Sequence, residues 1–210
     1  MSFLITKYLN LVLYISHMKN TIVFLDAGFL SKLSKHMGNG SYIKFNLKEF
    51  SKKIAKKRNL FCTDIFYYTA PPFQSTPPSF EEKKRKVSYD SFLKKINSDK
   101  MITVREGRVQ KIKNSNSTIE YKQKGVDTLL TMDLMLVPLK NEIKTIILVA
   151  CDSDFVPVIQ NLQKLGIKII LYTYFEKSRA SKFSTSNELI QCVDQYHLIE
   201  KEDFVKLEKS

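Results

Sequence analysis

Asp133 lies within a predicted helix, and four other aspartates of this 210-residue chain stand where predicted strands end or predicted helices begin: Asp26, Asp127, Asp152 and Asp154. The first follows the apolar run at 21–25, and the last two follow the most apolar run of the chain, at 145–150. A carboxylate at the end of a buried strand costs free energy unless something offsets its charge. Binding sites in open parallel sheets form at the carboxyl ends of the strands. We therefore expect these side chains to converge on one edge of a sheet.

Carboxylates that cluster without histidine favour hard, oxygen-preferring ions such as Mg²⁺ or Mn²⁺. Such ions activate water and stabilise the charge of a phosphodiester during hydrolysis, whereas without an ion the acids would repel and raise each other's pKa. We predict four metal-binding and catalytic residues: Asp26, Asp127, Asp152 and Asp154. Asp133 ranks below them, because six residues place it roughly 120° from Asp127 around a helix.

A structural interpretation of the same acids stays open. A lone aspartate at the start of a helix usually caps the helix or complements its dipole, and Asp127 and Asp152 would each fit that role. Four acids at three such positions are harder to explain by capping alone, so the metal-site hypothesis is favoured.

The elements that must position these acids alternate between strand and helix. Short apolar runs predict buried strands at 21–25, 62–69, 145–150 and 167–174. Apolar residues at helical spacing predict helices at 47–57, 80–97, 125–137 and 154–165. This alternation predicts an α/β domain with a mainly parallel sheet.

Domain organisation follows from composition. Residues 1–17 are apolar but interrupted by polar residues, and are too short and polar to span a membrane. Met18 precedes the first clear strand, so the native chain either starts there or carries an extra packing helix at 3–16. We predict an N-terminal extension at 1–17, then a single domain at 18–210 with a basic insertion at about 71–121.

Positive charge is concentrated in two stretches. Lys and Arg exceed Asp and Glu by 34 to 21, a net charge of +13. Residues 44–58 carry seven basic against one acidic residue, and 79–113 carry eleven against five, so together they supply +12. Such a surplus indicates a polyanionic partner, nucleic acid first and an acidic membrane second. A pair of solvated helix faces is the open alternative.

Aromatic residues interleave with this charge or lie near it: Tyr67, Tyr68, Phe73, Tyr89 and Tyr121. That mixture suits backbone contacts and base stacking on single-stranded RNA, so we predict RNA rather than a membrane as the partner. The candidate substrate-binding residues are Lys83, Lys84, Arg85, Arg105, Arg108, Lys124 and Ser153.

Cysteine and histidine usage indicates the compartment. The three cysteines lie far apart, at 62, 151 and 192, and no Cys/His cluster has zinc spacing. They are typical of small apolar residues in a reducing compartment, and we predict a cytoplasmic protein.

Three segments resemble the NYN-domain nucleases, in the LabA-like branch of the PIN-like superfamily. The segments are TIVFLDAG, KGVDTLLTMD and ILVACDSDFVPVIQNLQKLGIKIILY, and the likeness spans about 20–200. In the family the first strand ends in an acid, here Asp26, and a lysine precedes the helix-start acid by three residues, here Lys124 before Asp127. The DSDF segment at 152–155 matches the family's strongest motif. The segment STSNELIQCVDQYHLI resembles its final helix and strand, with Asp194 at the helix end.

The resemblance implies a Rossmann-like three-layer α/β/α sandwich and a metal-dependent endoribonuclease that leaves 5′-phosphate and 3′-hydroxyl ends. One position departs from the family, which often has asparagine three residues after the first acid, where this chain has Phe29. That departure favours an alternative, a non-catalytic RNA-binding or adaptor module of the same fold. A DNA-directed nuclease and a homo-oligomer also remain open.

Overall fold

The computed structural model describes residues 18–113, 119–176, 183 and 186–204. The predicted N-terminal extension lies outside the described residues. In the described part of the chain, no helix combines the length and apolar character needed to cross a bilayer.

The described residues form eight strands: β1 (Lys19–Asp26), β2 (Leu60–Thr69), β3 (Ile102–Glu106), β4 (Arg108–Lys113), β5 (Ile119–Lys124), β6 (Thr145–Val149), β7 (Lys168–Thr173) and β8 (Gln195–Leu198). Six of them form one sheet in the order β3-β2-β1-β6-β7-β8, and every pairing in that sheet is parallel. The other two, β4 and β5, pair antiparallel as a separate hairpin that extends past the end of the predicted insertion to Lys124.

Six α-helices connect these strands in the described residues: α1 (Ala27–Met37), α2 (Leu47–Lys56), α3 (Phe80–Asn97), α4 (Val126–Lys140), α5 (Val156–Lys164) and α6 (Asn187–Cys192). Short 3₁₀ turns cover Ser153–Phe155 and Lys201–Phe204. Helix α3 begins with a capping box, in which Ser79 accepts from the Glu82 N–H and the Glu82 carboxylate accepts from the Ser79 N–H.

Both faces of the sheet are covered by helices. Val23 and Leu25 point into a core formed with α1, α2 and α3, and Ile22 and Phe24 point into a second core formed with α4, α5 and α6. All four side chains are fully buried, as expected because successive residues of a strand face opposite sides. The predicted α/β/α sandwich with a parallel sheet is confirmed.

Three elements differ from the sequence-based prediction. Residues 27–37, to which no element was assigned, form α1. The helix expected at 154–165 begins instead as the 3₁₀ turn Ser153–Phe155 and becomes α-helical at Val156. Helix α4 extends past the expected end at 137 and includes Pro138, whose side chain is buried.

The strand order reverses in the middle of the sheet and creates a crevice there. The chain leaves β1 into α1 on one face, and leaves β6 towards α5 on the other face, although β1 and β6 are neighbours. The carboxyl ends of such a strand pair diverge, and open α/β sheets bind ligands at this switch point. Asp26 is the last residue of β1, and Asp152 lies three residues after the end of β6.

Candidate functional site

Asp26 is fixed by its own role as the N-cap of α1. Its Oδ1 accepts hydrogen bonds from the backbone N–H groups of Gly28 (2.8 Å) and Phe29 (3.3 Å). The pKa of Asp26 is raised to about 6, mainly by burial and in smaller part by the charge of Asp127, against the opposing effects of these hydrogen bonds and of Lys32. The carboxyl group therefore has its charged form disfavoured at the end of the central strand.

Asp127 reaches the same region through a sharp turn between β5 and α4. Gly125 adopts φ = 80°, a left-handed conformation that favours glycine, and α4 starts at the next residue. A Cβ at Gly107 would lie 2.6 Å from the carbonyl oxygen of Lys124, so the hairpin passes very close to the start of α4. Burial, followed by the charges of Asp152 and Asp154, raises the pKa of Asp127.

Asp152 and Asp154 lie in the turn that follows β6. Asp152 caps the 3₁₀ turn Ser153–Phe155, with its Oδ1 accepting from the Asp154 N–H at 3.0 Å. Phe155 is fully buried and anchors the turn. Both capping acids use only Oδ1 in these bonds, so for the described residues Oδ2 of Asp26 and of Asp152 has no hydrogen-bond donor. Capping and metal binding are thus compatible.

Three of the four principal acids line one cavity of about 220 Å³, which we call the carboxylate pocket. Its lining residues are Asp26, Gly28, Phe29, Lys32, Gln123, Asp127, Cys151, Asp152, Tyr174 and Phe183. Asp154 is exposed and does not line it, although its charge reaches Asp127. No ion pair joins these four acids to a basic side chain within the described ranges. Convergence of the acids at one sheet edge is therefore seen for Asp26, Asp127 and Asp152.

The donor set of this pocket fits a hard divalent cation. Its ligating groups are carboxylates, and burial with the charges of Asp26 and Asp152 raises the pKa of the Cys151 thiol to about 11, so that thiol is neutral. As the side chains stand, no three His, Cys, Asp or Glu side chains of the described residues are spaced to ligate one ion. The pocket has room for several waters of about 30 Å³ each, and Mg²⁺ bound in proteins usually keeps part of its water shell.

Asp133 does not join the pocket, which corrects its assignment as a metal ligand. Asp133 is 6% exposed, and its carboxylate accepts from Arg105 Nε (2.8 Å) and from the terminal nitrogen of Arg105 (3.1 Å). The hydroxyl of Tyr68 also donates to it at 2.9 Å. The helical offset from Asp127 explains the separation, since the two residues face different directions. The guanidinium of Arg105 is likewise engaged by Asp133 rather than directed to a substrate.

The other predicted substrate contacts are dispersed. Arg85 on α3 lines a second, larger cavity beside the carboxylate pocket. The remaining candidates border neither cavity: Lys83, Lys84, Arg105, Arg108, Lys124 and Ser153.

Most of the first basic stretch lies away from the pocket. Helix α2 ends where β2 begins, so residues near Lys57 lie at the amino edge of the sheet, opposite the acids. Lys57 pairs with the buried Asp203 at 2.6 Å, and Lys48 pairs with Asp99 at 2.8 Å. Asp194, noted for the resemblance, also lies away from the pocket, accepting from the Ile169 N–H near the start of β7. These charges serve the fold.

Two pocket residues were missed by the sequence analysis. Lys32 lies one turn beyond Gly28 on α1, so it would have been placed at the site had that helix been predicted. Gln123 precedes Lys124, and the side chain of Gln123, rather than that of the lysine, borders the acids. Its uncharged amide gave no signal that would distinguish it from other polar residues of a hairpin.

Comparisons with known proteins concern the family and the fold of the chain. The family model of the NYN domain matches residues 20–200. A search of curated proteins gave no match. The crystal structure of a protein of unknown function from Vibrio parahaemolyticus is similar in fold, with a TM-score of 0.52 and 15% sequence identity, over 90% of this chain and 96% of that chain. This likeness concerns the fold alone.

Proposed function

Because the chain belongs to the NYN domain family, we propose that it is an endoribonuclease that hydrolyses phosphodiester bonds at the carboxylate pocket, with Mg²⁺ or Mn²⁺ as cofactor. The family indicates nuclease-type activity in general; the RNA substrate, the metal and the residues are our proposal. The observation that carries it is that Asp26, Asp127 and Asp152 come from three separate segments and line one pocket.

Each acid would hold the ion in a different way. The caps fix Oδ1 of Asp26 and of Asp152, which leaves Oδ2 of each directed by a rigid turn. The pKa of Asp127 is raised by burial and then by the charges of Asp152 and Asp154, so a cation there would relieve the repulsion. When bound, such an ion stabilises the charge that a phosphodiester develops during hydrolysis and makes water a better nucleophile. Asp154 would act through water from its exposed position.

Lys32 and Gln123 would position the RNA strand. Both side chains border the carboxylate pocket and the larger cavity, so a strand that runs between the two cavities would pass them. The ammonium of Lys32 would offset the repulsion between the acids and an incoming phosphate. In-line attack by water would leave a 5′-phosphate and a 3′-hydroxyl.

A second candidate function is RNA binding without turnover, and Phe29 is the observation that favours it. Phe29 is 4% exposed within the core and offers the acids only its backbone N–H, so this position supplies no polar side chain to the pocket. This candidate predicts salt-sensitive RNA binding and no metal-dependent product.

The test is cleavage of end-labelled single-stranded RNA with Mg²⁺, with Mn²⁺ and with EDTA, alongside a matched DNA strand. The variant is the double substitution Asp152→Asn and Asp154→Asn, and the matched control is Asp64→Asn, an exposed acid on β2 outside both cavities. We expect metal-dependent cleavage of RNA that the double variant loses and the control keeps. Tight RNA binding with no product under any metal would favour the adaptor, and cleavage of DNA alone would overturn the choice of RNA.

A further inference from the structure

The larger cavity, of about 620 Å³, lies beside the carboxylate pocket and shares Gly28, Lys32 and Gln123 with it. We call it the aromatic groove, because six aromatic side chains line it: Tyr42, Tyr67, Phe73, Tyr89, Phe92 and Tyr121. Its volume is within the range of about 300–1,000 Å³ typical of ligand sites. Coordination of a metal ion uses none of these rings, so the carboxylate pocket alone does not explain the groove.

Several of these rings are held in place by one another. Phe73 and Tyr121 have ring centroids 5.2 Å apart and tilted by 48°, which joins the loop after β2 to the hairpin. Tyr67 and Phe92 meet edge to face at 5.8 Å, which joins β2 to α3. Tyr121 is nevertheless 53% exposed, so part of its ring remains available to a ligand. The groove is thus an ordered aromatic surface rather than a buried core.

The charged side chains that line the groove are basic. Arg85 and Lys32 line it, and the ammonium of Lys111 lies 5.8 Å from the centroid of the Phe73 ring. No Asp or Glu is among its described lining residues. Flat rings beside cations match a ligand that is both flat and anionic, which is the chemistry of a nucleotide.

We propose that the aromatic groove binds an unpaired nucleobase of the strand whose phosphodiester enters the carboxylate pocket. This inference rests on the proposed function and adds the strand state of the substrate. A base in a duplex is already stacked and paired, and would have to leave the helix to reach the rings. An unpaired base is free to stack on them. The groove therefore selects single-stranded over double-stranded RNA.

The test measures binding in EDTA, so that it does not depend on cleavage. The probe is a short oligouridylate with one 2-aminopurine, which is moved through each position in turn and followed by fluorescence and anisotropy. The variants are Tyr121→Ala, the conservative Tyr121→Phe, and Arg85→Gln. The matched control is Tyr196→Ala, because Tyr196 is 46% exposed on β8 and lines neither cavity.

We expect 2-aminopurine fluorescence to be quenched at one position, and Tyr121→Ala to weaken binding about tenfold and remove that quenching. Tyr121→Phe restores both, because it keeps the ring. Arg85→Gln removes about one phosphate contact, so the logarithm of the binding constant falls less steeply with the logarithm of the salt concentration. Tyr196→Ala binds as the wild type does. Equal affinity of Tyr121→Ala and wild type, or duplex bound as tightly as single strand, would overturn the proposal.

Failure of this inference is distinguishable from failure of the proposed function. A wild-type protein that stacks the base in EDTA but cleaves nothing with Mg²⁺ or Mn²⁺ would contradict the nuclease and support the groove. Metal-dependent cleavage with the same affinity and quenching in Tyr121→Ala would contradict the groove and support the nuclease.

Discussion

Helix α4 carries two aspartates in opposite surroundings. Asp133 is almost fully buried, and its charge is compensated by Arg105 and by the Tyr68 hydroxyl. Asp127, six residues earlier, pairs with no basic side chain in the described ranges and has its pKa raised by burial and by two other acids. The fold compensates the charge of Asp133 with protein groups and leaves Asp127 beside other acids, and this contrast is the basis on which we propose a cation site at Asp127.

The largest expected effect separates the two aspartates by activity. Asp127→Asn should lower the rate of metal-dependent RNA cleavage by at least about a hundredfold, because even residues that only support metal ligands cost 10–100-fold. Its free energy of unfolding should not fall, since the substitution removes repulsion. Cleavage kinetics and urea unfolding of the same preparation measure both. If Asp127→Asn is less stable but fully active, Asp127 would support the fold as Asp133 does and would have no role in cleavage.

The next effect is on stability. Asp133→Asn should lower the free energy of unfolding by about 2 kcal/mol, below the 3–5 kcal/mol of a fully buried pair because Arg105 is 38% exposed and can be hydrated. Tyr68→Phe keeps the pair and removes one hydrogen bond, so we expect a loss of about 1 kcal/mol. Urea unfolding measures both losses. Unchanged stability of Asp133→Asn would show that the pair is not structural.

Replacement of Asp26 by asparagine should raise the free energy of unfolding, whereas the same replacement of Asp133 should lower it. Asp26→Asn keeps an N-cap oxygen and removes the disfavoured charge, so without metal at pH 7 it should stabilise the protein by about 1–2 kcal/mol. The pKa of Asp26 is raised from 3.8 to about 6, so between these values the folded protein retains a proton that the unfolded chain has lost. The contribution of Asp26 to wild-type stability therefore falls as pH rises through this window. Unfolding in EDTA at several pH values should show a shallower fall for Asp26→Asn; equal curves would contradict the assignment.

The smallest effect concerns metal binding and pH. An ion requires the deprotonated carboxylates, so affinity for Mn²⁺ should rise up to about tenfold per pH unit below about 6 and level off above it. Titration of Mn²⁺ at several pH values measures this. An affinity independent of pH between 5 and 7 would show that Asp26 does not bind the ion.

The sheet was predictable from sequence because its strands are continuous apolar runs. β1, β6 and β7 are buried on both faces, which leaves little polar alternation to mislead the assignment. The acids at the ends of β1 and β6 followed from the topology rule for parallel sheets. Helix α1 was missed although Leu30, Leu33 and Met37 have helical spacing, because Asp26 was interpreted only as the end of a strand.

The rest depended on contacts between segments distant in sequence. Arg105 pairs with Asp133 across 28 residues, and nothing in either segment indicates the other. The same holds for Tyr121, which reaches Phe73 only because the hairpin folds over the loop after β2. The sequence analysis named Tyr121 and Phe73 among the aromatic residues suited to base stacking, but it could not place them beside the acids.

The most direct test of the central claim is an electron paramagnetic resonance titration of Mn²⁺ with wild type, Asp127→Asn and the control Asp64→Asn. Bound Mn²⁺ loses the sharp signal of the free ion, so the measurement reports the site without relying on cleavage. We predict that wild type and Asp64→Asn remove the free signal equally and that Asp127→Asn removes it much more weakly. Equal binding by all three proteins would contradict the account, because the three acids of the pocket would then not hold the ion.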